Sequence, residues 1–144
     1  MGIPLVSVLL LTHNGAGTLP GVLAAIRSQD VRFPVELVAV DSGSRDGTKA
    51  LLREHAGQII EISEGGFNHG TTRNLGIEAC RAPLVVLLAQ DAEPASPSWL
   101  PKLTAPLLVP GSDPAAAEGA PGRPAAGRAP GTLAGTYARQ IPRF

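Results

Sequence analysis

LVSVLLLTHNGAGTLPGVLAAI, residues 5–26, decides the fold by changing its period halfway along. The first seven residues form a continuous apolar run rich in branched side chains, of the length of a strand covered on both faces. After His13, Asn14 and Gly15 the spacing becomes helical. Leu19, Val22, Leu23 and Ile26 recur at steps of three and four, Thr18 can cap the helix, and Pro20 is tolerated in its first turn. The segment predicts a strand, a turn and a helix ending near Asp30.

The same alternation recurs downstream. VELVAV, residues 35–40, predicts a second buried strand, followed by a turn at Asp41, Ser42, Gly43 and Ser44. A helix that Asp46 or Thr48 can cap then runs through His55 and buries Leu51 and Leu52. Residues 58–62 alternate and predict a strand nearer a sheet edge. A loop over residues 65–70 leads through Thr71 or Thr72 into a third helix reaching about Arg81, and LVVLL at residues 84–88 is the fourth strand. Strands joined by single helices pair in parallel with right-handed crossovers, so the order predicts an α/β, Rossmann-like parallel sheet with flanking helices. Such sheets bind ligands outside the carboxyl ends of their strands, where Thr12, Asp41 and Asp91 fall.

Composition sets the limits of the domain. Nineteen of the 27 residues from Pro110 to Thr136 are Pro, Gly or Ala, so the core must precede Pro110. One domain is expected over residues 1–109. A Pro/Gly/Ala-rich low-complexity tail is expected over 110–144, disordered because it buries too little surface to offset its ordering entropy. Pro94, Pro97, Pro101, Pro106 and Pro110 leave room for only a short helix around residues 99–103. Twelve basic and 12 acidic side chains cancel, which removes the diffuse positive field of a non-specific nucleic-acid binder and excludes nucleic acid as the main partner. No stretch approaches the roughly eighteen continuous apolar residues of a transmembrane segment. No Lys or Arg precedes Arg27 to open a signal peptide, and Val6 stands where a myristoylation signal needs Ser or Thr. Cys80, alone, makes neither an internal disulfide nor a Cys-rich zinc site, and a reducing cytoplasm fits.

Three constellations can carry chemistry. The loop GAGTLPG at residues 15–21 nearly spells a dinucleotide fingerprint, with Pro20 where the third glycine is needed. A nicotinamide or flavin site stands there as an alternative, beside a turn that needs positive φ at Gly15 or Gly17. Asp41 and Asp91 at neighbouring strand ends suit a nucleoside and a divalent cation respectively; taken singly, Asp41 can be a turn former and Asp91 a cap. Arg73, at the mouth of the third helix, offers a planar donor fork for phosphate or a base carbonyl, or is a plain surface residue. His69 can contact metal or phosphate, or be structural. His13 reads as a strand-end turn residue and His55 as a solvated helix position. No Gly-Lys-Ser/Thr follows the glycines and no G-x-S-x-G elbow occurs, so neither a P-loop nor a Ser-His-Asp hydrolase is supported.

The segments VSVLLLTHNG, VELVAVDSGSRDGT, FNHGTTRNLGIEAC and LVVLLAQDAEP, followed by Trp99 and Leu100, together resemble the inverting family 2 glycosyltransferases of the GT-A fold, from residue 5 to about 108. FNHG with QDA in place of a plain D-x-D is most similar to the bacterial rhamnosyltransferase branch. The resemblance implies a nucleotide-sugar donor on Thr12, Asp41, Ser42, His69, Arg73 and Asn74, with Thr12 and Asp41 at the nucleoside and Arg73 near base or diphosphate. It implies Asp91 as the acid that binds Mg²⁺ or Mn²⁺ beside the diphosphate, and transfer of a sugar, rhamnose in that branch, to a hydroxyl of a glycan or lipid-linked acceptor with inversion. A cytoplasmic location, or the inner face of the membrane, goes with that activity. Two departures stand out. Ala89 occupies the first place of the triplet and removes one metal ligand, and the family's general base and acceptor elements lie where this chain turns Pro/Gly/Ala-rich. Asp113 and Glu118 in that run supply no positioned base. YARQIPR near the end resembles the segment beyond the metal motif in that branch. The expected chain is therefore a truncated, nucleotide-sugar-binding half of a glycosyltransferase. A small dinucleotide-binding oxidoreductase and a non-catalytic nucleotide- or partner-binding remnant are the alternatives. Self-association through apolar surface left by an incomplete sheet stays open.

Overall fold

The structure, a computed structural model, describes residues 2–108. The elements run β1 (Val6–Thr12), α1 (Leu19–Arg27), β2 (Val35–Ser42), α2 (Thr48–His55), β3 (Gln58–Ile62), a 3-10 turn (Glu64–Gly66), α3 (His69–Ala79), β4 (Leu84–Ala89) and α4 (Trp99–Leu108). All strand pairs are parallel in the order β3-β2-β1-β4, with β1 central and β3 at an edge as its alternating sequence requires. The continuous apolar run of β1 follows from burial of both its faces. Val6, Val8 and Leu10 pack with Leu19, Val22, Leu23, Leu52 and Leu100 of the helices, and Leu9 packs with Val38 and Val40 under Ile77 and Ala79 of α3.

Several boundaries differ from expectation, each because a side chain from elsewhere intervenes. α1 ends at Arg27 rather than near Asp30, because Gln29 closes the helix end and ties it to a distant segment. Its Nε2 donates to Ala25 O and Ser96 O, each at 2.9 Å, and its Oε1 accepts from Leu100 N at 2.7 Å. Thr18 does not cap α1 with its hydroxyl, which donates instead to Gln90 O at 3.0 Å. α3 starts at His69 rather than at Thr71 or Thr72, because Asn68 Oδ1 accepts from the N–H groups of Gly70 and Thr71. α4 extends to Leu108, with Pro101 in its first turn and Pro106 in its last, where a missing donor costs one bond; buried Leu100 and Thr104 hold it down. Positive φ occurs at Asn14 and Gly43, not at Gly15 or Gly17. The tail expected over 110–144 lies outside the described residues.

At the amino ends of the strands a buried carboxylate fastens α3 to the sheet. Glu36 accepts from Ser7 Oγ at 2.6 Å, from Arg81 N at 2.9 Å and from Arg81 Nε at 2.7 Å, while Ser7 Oγ accepts from Ala82 N. Burial pushes the Glu36 carboxyl up, but the Ser7 hydroxyl and the Arg81 N–H and guanidinium together hold it below its ordinary value. A carboxyl with a lowered folded pKa contributes stability that is complete above its unfolded pKa and is lost as the pH falls through the folded one. The urea midpoint is therefore expected to fall below about pH 4.5. Glu36→Gln lowers the midpoint at neutral pH and flattens that decline; an acid slope unchanged in Glu36→Gln would assign the effect to other carboxyls.

Candidate functional site

The carboxyl ends of β1, β2 and β4 bring Thr12, Ser42 and Ala89 to one rim. The two loops that leave β1 and β2 are laced together there. Asn14 N donates to Ser44 Oγ, Arg45 N to Asn14 Oδ1 and Gly15 N to Thr48 Oγ1, each at 2.8 Å, and Ala16 N donates to Asp46 Oδ2 at 3.1 Å. THNG and DSGSRDGT thus occur together because each satisfies the other's backbone. Hydrogen bonds from the Thr48 hydroxyl and N–H, with a smaller one from Ala16 N–H, hold the Asp46 carboxyl below the usual range. Beneath the loops Asp41 is fully buried. It accepts from Thr12 Oγ1 at 2.9 Å, Ser44 N at 2.9 Å and Ser44 Oγ at 2.6 Å.

A cavity of about 530 Å³ opens beside this rim on the face covered by α3. Leu9, Leu11, Leu87 and Leu88 supply its apolar lining, and Thr12, His13, Ser42 and Gln90 its polar strand-end lining. Glu64 contributes from the 3-10 turn, Phe67 from the link after it, and His69 and Arg73 from α3. Ser42 is 3% exposed and its Oγ is buried without a hydrogen-bond partner among the described residues. His13 donates through Nδ1 to Ser42 O at 2.8 Å, which leaves Nε2 near Glu64 Oε1 at 3.7 Å. Arg45 lies 3.6 Å from the same carboxylate, and the rings of Phe67 and His69 meet edge to face at 4.8 Å.

Of the residues expected at the site, Thr12, Ser42, His69 and Arg73 line this cavity together. Asp41 does not line it; its oxygens are spent on Thr12 and Ser44. Asn74 is exposed on α3 outside the lining, and Asp91 is exposed one residue beyond the lining Gln90. His13 and Gln90 were not expected in the site although both directly follow strand ends, which was the available signal. Glu64 left none, since a 3-10 turn has no periodicity to read, whereas Phe67 stands in the FNHG segment that carries the family resemblance. His55, expected to be solvated, is half-buried with Nδ1 shielded and unpaired among the described residues.

The glycines of the first loop answer to packing. A Cβ at Gly15 would fall on the Gln90 amide, 2.8 Å from its Cδ, and one at Gly21 would lie 2.6 Å from Glu93 Oε2, whereas Gly17 has nothing within 4 Å. The start of α1, where a dinucleotide's pyrophosphate would rest, is thus covered by an amide and a carboxylate, the latter of the wrong charge for it. This disfavours the oxidoreductase alternative.

Among the described residues no group of three or more His, Cys, Asp or Glu converges to hold a metal. The residues fit a cation in a narrower sense. Asp91 carries an exposed carboxylate that no described residue engages, and Mg²⁺ or Mn²⁺ is commonly held by one or two carboxylates, with substrate phosphates and water completing the shell.

A four-stranded parallel sheet flanked by helices, with its cavity at the strand ends, defines a Rossmann-like α/β domain of the GT-A class. The chain belongs to glycosyl transferase family 2, whose sequence profile matches residues 7–118. It is 36% identical over 89 residues to the O-antigen chain rhamnosyltransferase RfbN of Salmonella typhimurium, covering 60% of this chain and 28% of that protein. It is 40% identical over 60 residues to the O-antigen chain rhamnosyltransferase WbaN of Salmonella anatum, covering 41% of this chain and 19% of that one. Among solved structures, a mannosyltransferase from Pyrobaculum calidifontis in complex with GDP-Man and Mn²⁺ superposes with a TM-score of 0.60 at 27% identity, over 74% of this chain and 33% of that one. The chain therefore spans less than a third of the length of either rhamnosyltransferase. Among the described residues no helix is long and apolar enough to cross a membrane.

Proposed function

We propose that this domain binds the nucleotide-sugar donor of an inverting glycosyl transfer, with a rhamnosyl nucleotide as the donor class. The observation that carries the reading is the cavity of about 530 Å³ at the strand ends, whose lining brings Thr12 and Ser42 of the strands together with His69 and Arg73 of α3. Ser42 and Thr12 take the nucleoside, and Asp41 serves by holding Thr12 and the 43–48 turn in place. Arg73 and His69, on the first turns of α3, face the diphosphate, where a guanidinium offers two parallel donors. Asp91 would hold a divalent cation, which neutralises charge on the departing diphosphate. The mannosyltransferase bound to GDP-Man and Mn²⁺ supports the cation, and the two rhamnosyltransferases support the sugar. Glu64, the carboxylate of the lining, lies 3.6 Å from the Arg45 guanidinium, and we assign the acceptor's general base to no described residue.

Calorimetric titration with dTDP, UDP and GDP, with and without Mn²⁺, tests this. Binding of at least one nucleotide, tightened by Mn²⁺, is expected; silence from all three at millimolar concentration would refute it. Ser42→Ala should weaken that binding about three- to tenfold, the worth of one hydrogen bond. It should not lower the unfolding temperature, because the hydroxyl it removes has no partner to lose.

A further inference from the structure

We infer that Gln90 is a positioning residue that sets the spacing between the nucleoside end and the cation end of the donor site, an inference that rests on the donor-binding reading above. The β1–β4 ladder runs in register to Leu11 and Ala89 and then stops. One residue further the Gln90 side chain takes its place. Oε1 accepts from His13 N at 2.9 Å and Nε2 donates to His13 O at 3.0 Å. An amide that meets both polar groups of one residue fixes distance and tilt together, where a single bond would leave a hinge.

Two further contacts show that this clamp is built in. The Gln90 carbonyl accepts from Thr18 Oγ1 at 3.0 Å, and Gly15 leaves open the space the amide fills. The clamp joins the two ends of the site. On one side the His13 ring holds Ser42 O, the residue with the unpartnered hydroxyl. On the other, the next residue in the chain is Asp91. The path Asp91, Gln90, His13, Ser42 sets how far the cation stands from the nucleoside, and a diphosphate bridges the two only if that distance matches its own length.

The test is a double-mutant cycle on the full chain. Wild type, Gln90→Ala, Asp91→Ala and the double variant are titrated with whichever of dTDP, UDP and GDP the wild type binds, with and without Mn²⁺. Asp91→Ala should abolish the tightening by Mn²⁺. Gln90→Ala should reduce that tightening, read as the ratio of affinity with Mn²⁺ to affinity without it in the same variant, about tenfold whatever its metal-free affinity, and the double variant should show none, as Asp91→Ala alone. Retained tightening in Gln90→Ala, or tightening that survives in Asp91→Ala, would overturn the inference while leaving the donor site standing. A wild type that binds no nucleotide removes the donor reading and this inference with it. Should Gln90→Ala fail to fold, Gln90→Met keeps the length of the side chain but neither accepts from His13 N–H nor donates to His13 O. It should lose most of the Mn²⁺ tightening, and full tightening in it would also overturn the inference.

Discussion

Gly76→Val is expected to cost about 3 kcal/mol or more of stability, the upper range for overpacking a filled interior. α3 lies so close to the sheet that a Cβ at Gly76 would sit 2.6 and 2.7 Å from the two Leu9 methyls and 3.1 Å from Val40 Cγ2. Leu9 and Val40 are wholly buried, so their methyls give way only by displacing packed neighbours or by filling the cavity that Leu9 borders. Valine adds two methyls beyond that Cβ, so α3 must lift, and with it His69 and Arg73 leave the cavity they line. Nucleotide affinity should therefore fall along with the urea midpoint. The milder Gly76→Ala isolates the cause. In an exposed helix interior, alanine stabilises by about 1 kcal/mol over glycine. Here the contact with Leu9 should reverse that sign, and a raised midpoint in Gly76→Ala would show that the helix has room to spare.

Asp41→Ala is expected to cost about 3 kcal/mol, since it strips a fully buried carboxylate from three donors at once. The hydroxyls of Thr12 and Ser44 can reorient, but the Ser44 N–H cannot, and it is left without an acceptor. The damage spreads, because Ser44 Oγ also accepts from Asn14 N and so ties the second loop to the first. Asp41→Asn should cost about 1 kcal/mol, as an amide oxygen still serves Ser44 N–H while its NH₂ turns toward the two hydroxyls. Chemical denaturation and nucleotide titration of both variants separate two roles. Stability and affinity falling together in Asp41→Ala identify an organiser of the rim. A variant as stable as wild type that no longer binds nucleotide would instead make Asp41 a direct nucleoside contact, as the family resemblance implies.

The shifted boundaries share a cause. The start of α3 was legible two residues late because Asn68, a good cap, stands in a run of Gly, Phe and His that reads as loop. The length of α4 was underestimated because counting prolines weighs local cost alone, whereas Leu100 and Thr104 are buried and Gln29 binds the first turn from across the domain. The near-fingerprint of glycines misled for the same reason. Gly15 stands where the fingerprint's first glycine would and Gly21 one place past its third, but the groups they admit, the Gln90 amide and the Glu93 carboxylate, come from about seventy residues away.

What the sequence by itself determined is the alternation of buried strands and amphipathic helices, the parallel sheet and the family, because hydrophobic periodicity and turn chemistry are local and survive without coordinates. Only the tertiary structure decided which polar groups at the strand ends face the cavity. Neighbouring residues of a strand point to opposite faces, so Asp41 turns toward the loops above α2 while Ser42, one place on, turns toward α3. Which of those two faces is left hollow depends on how closely a helix can approach, and that distance is set at Gly76 by side chains far away in the chain.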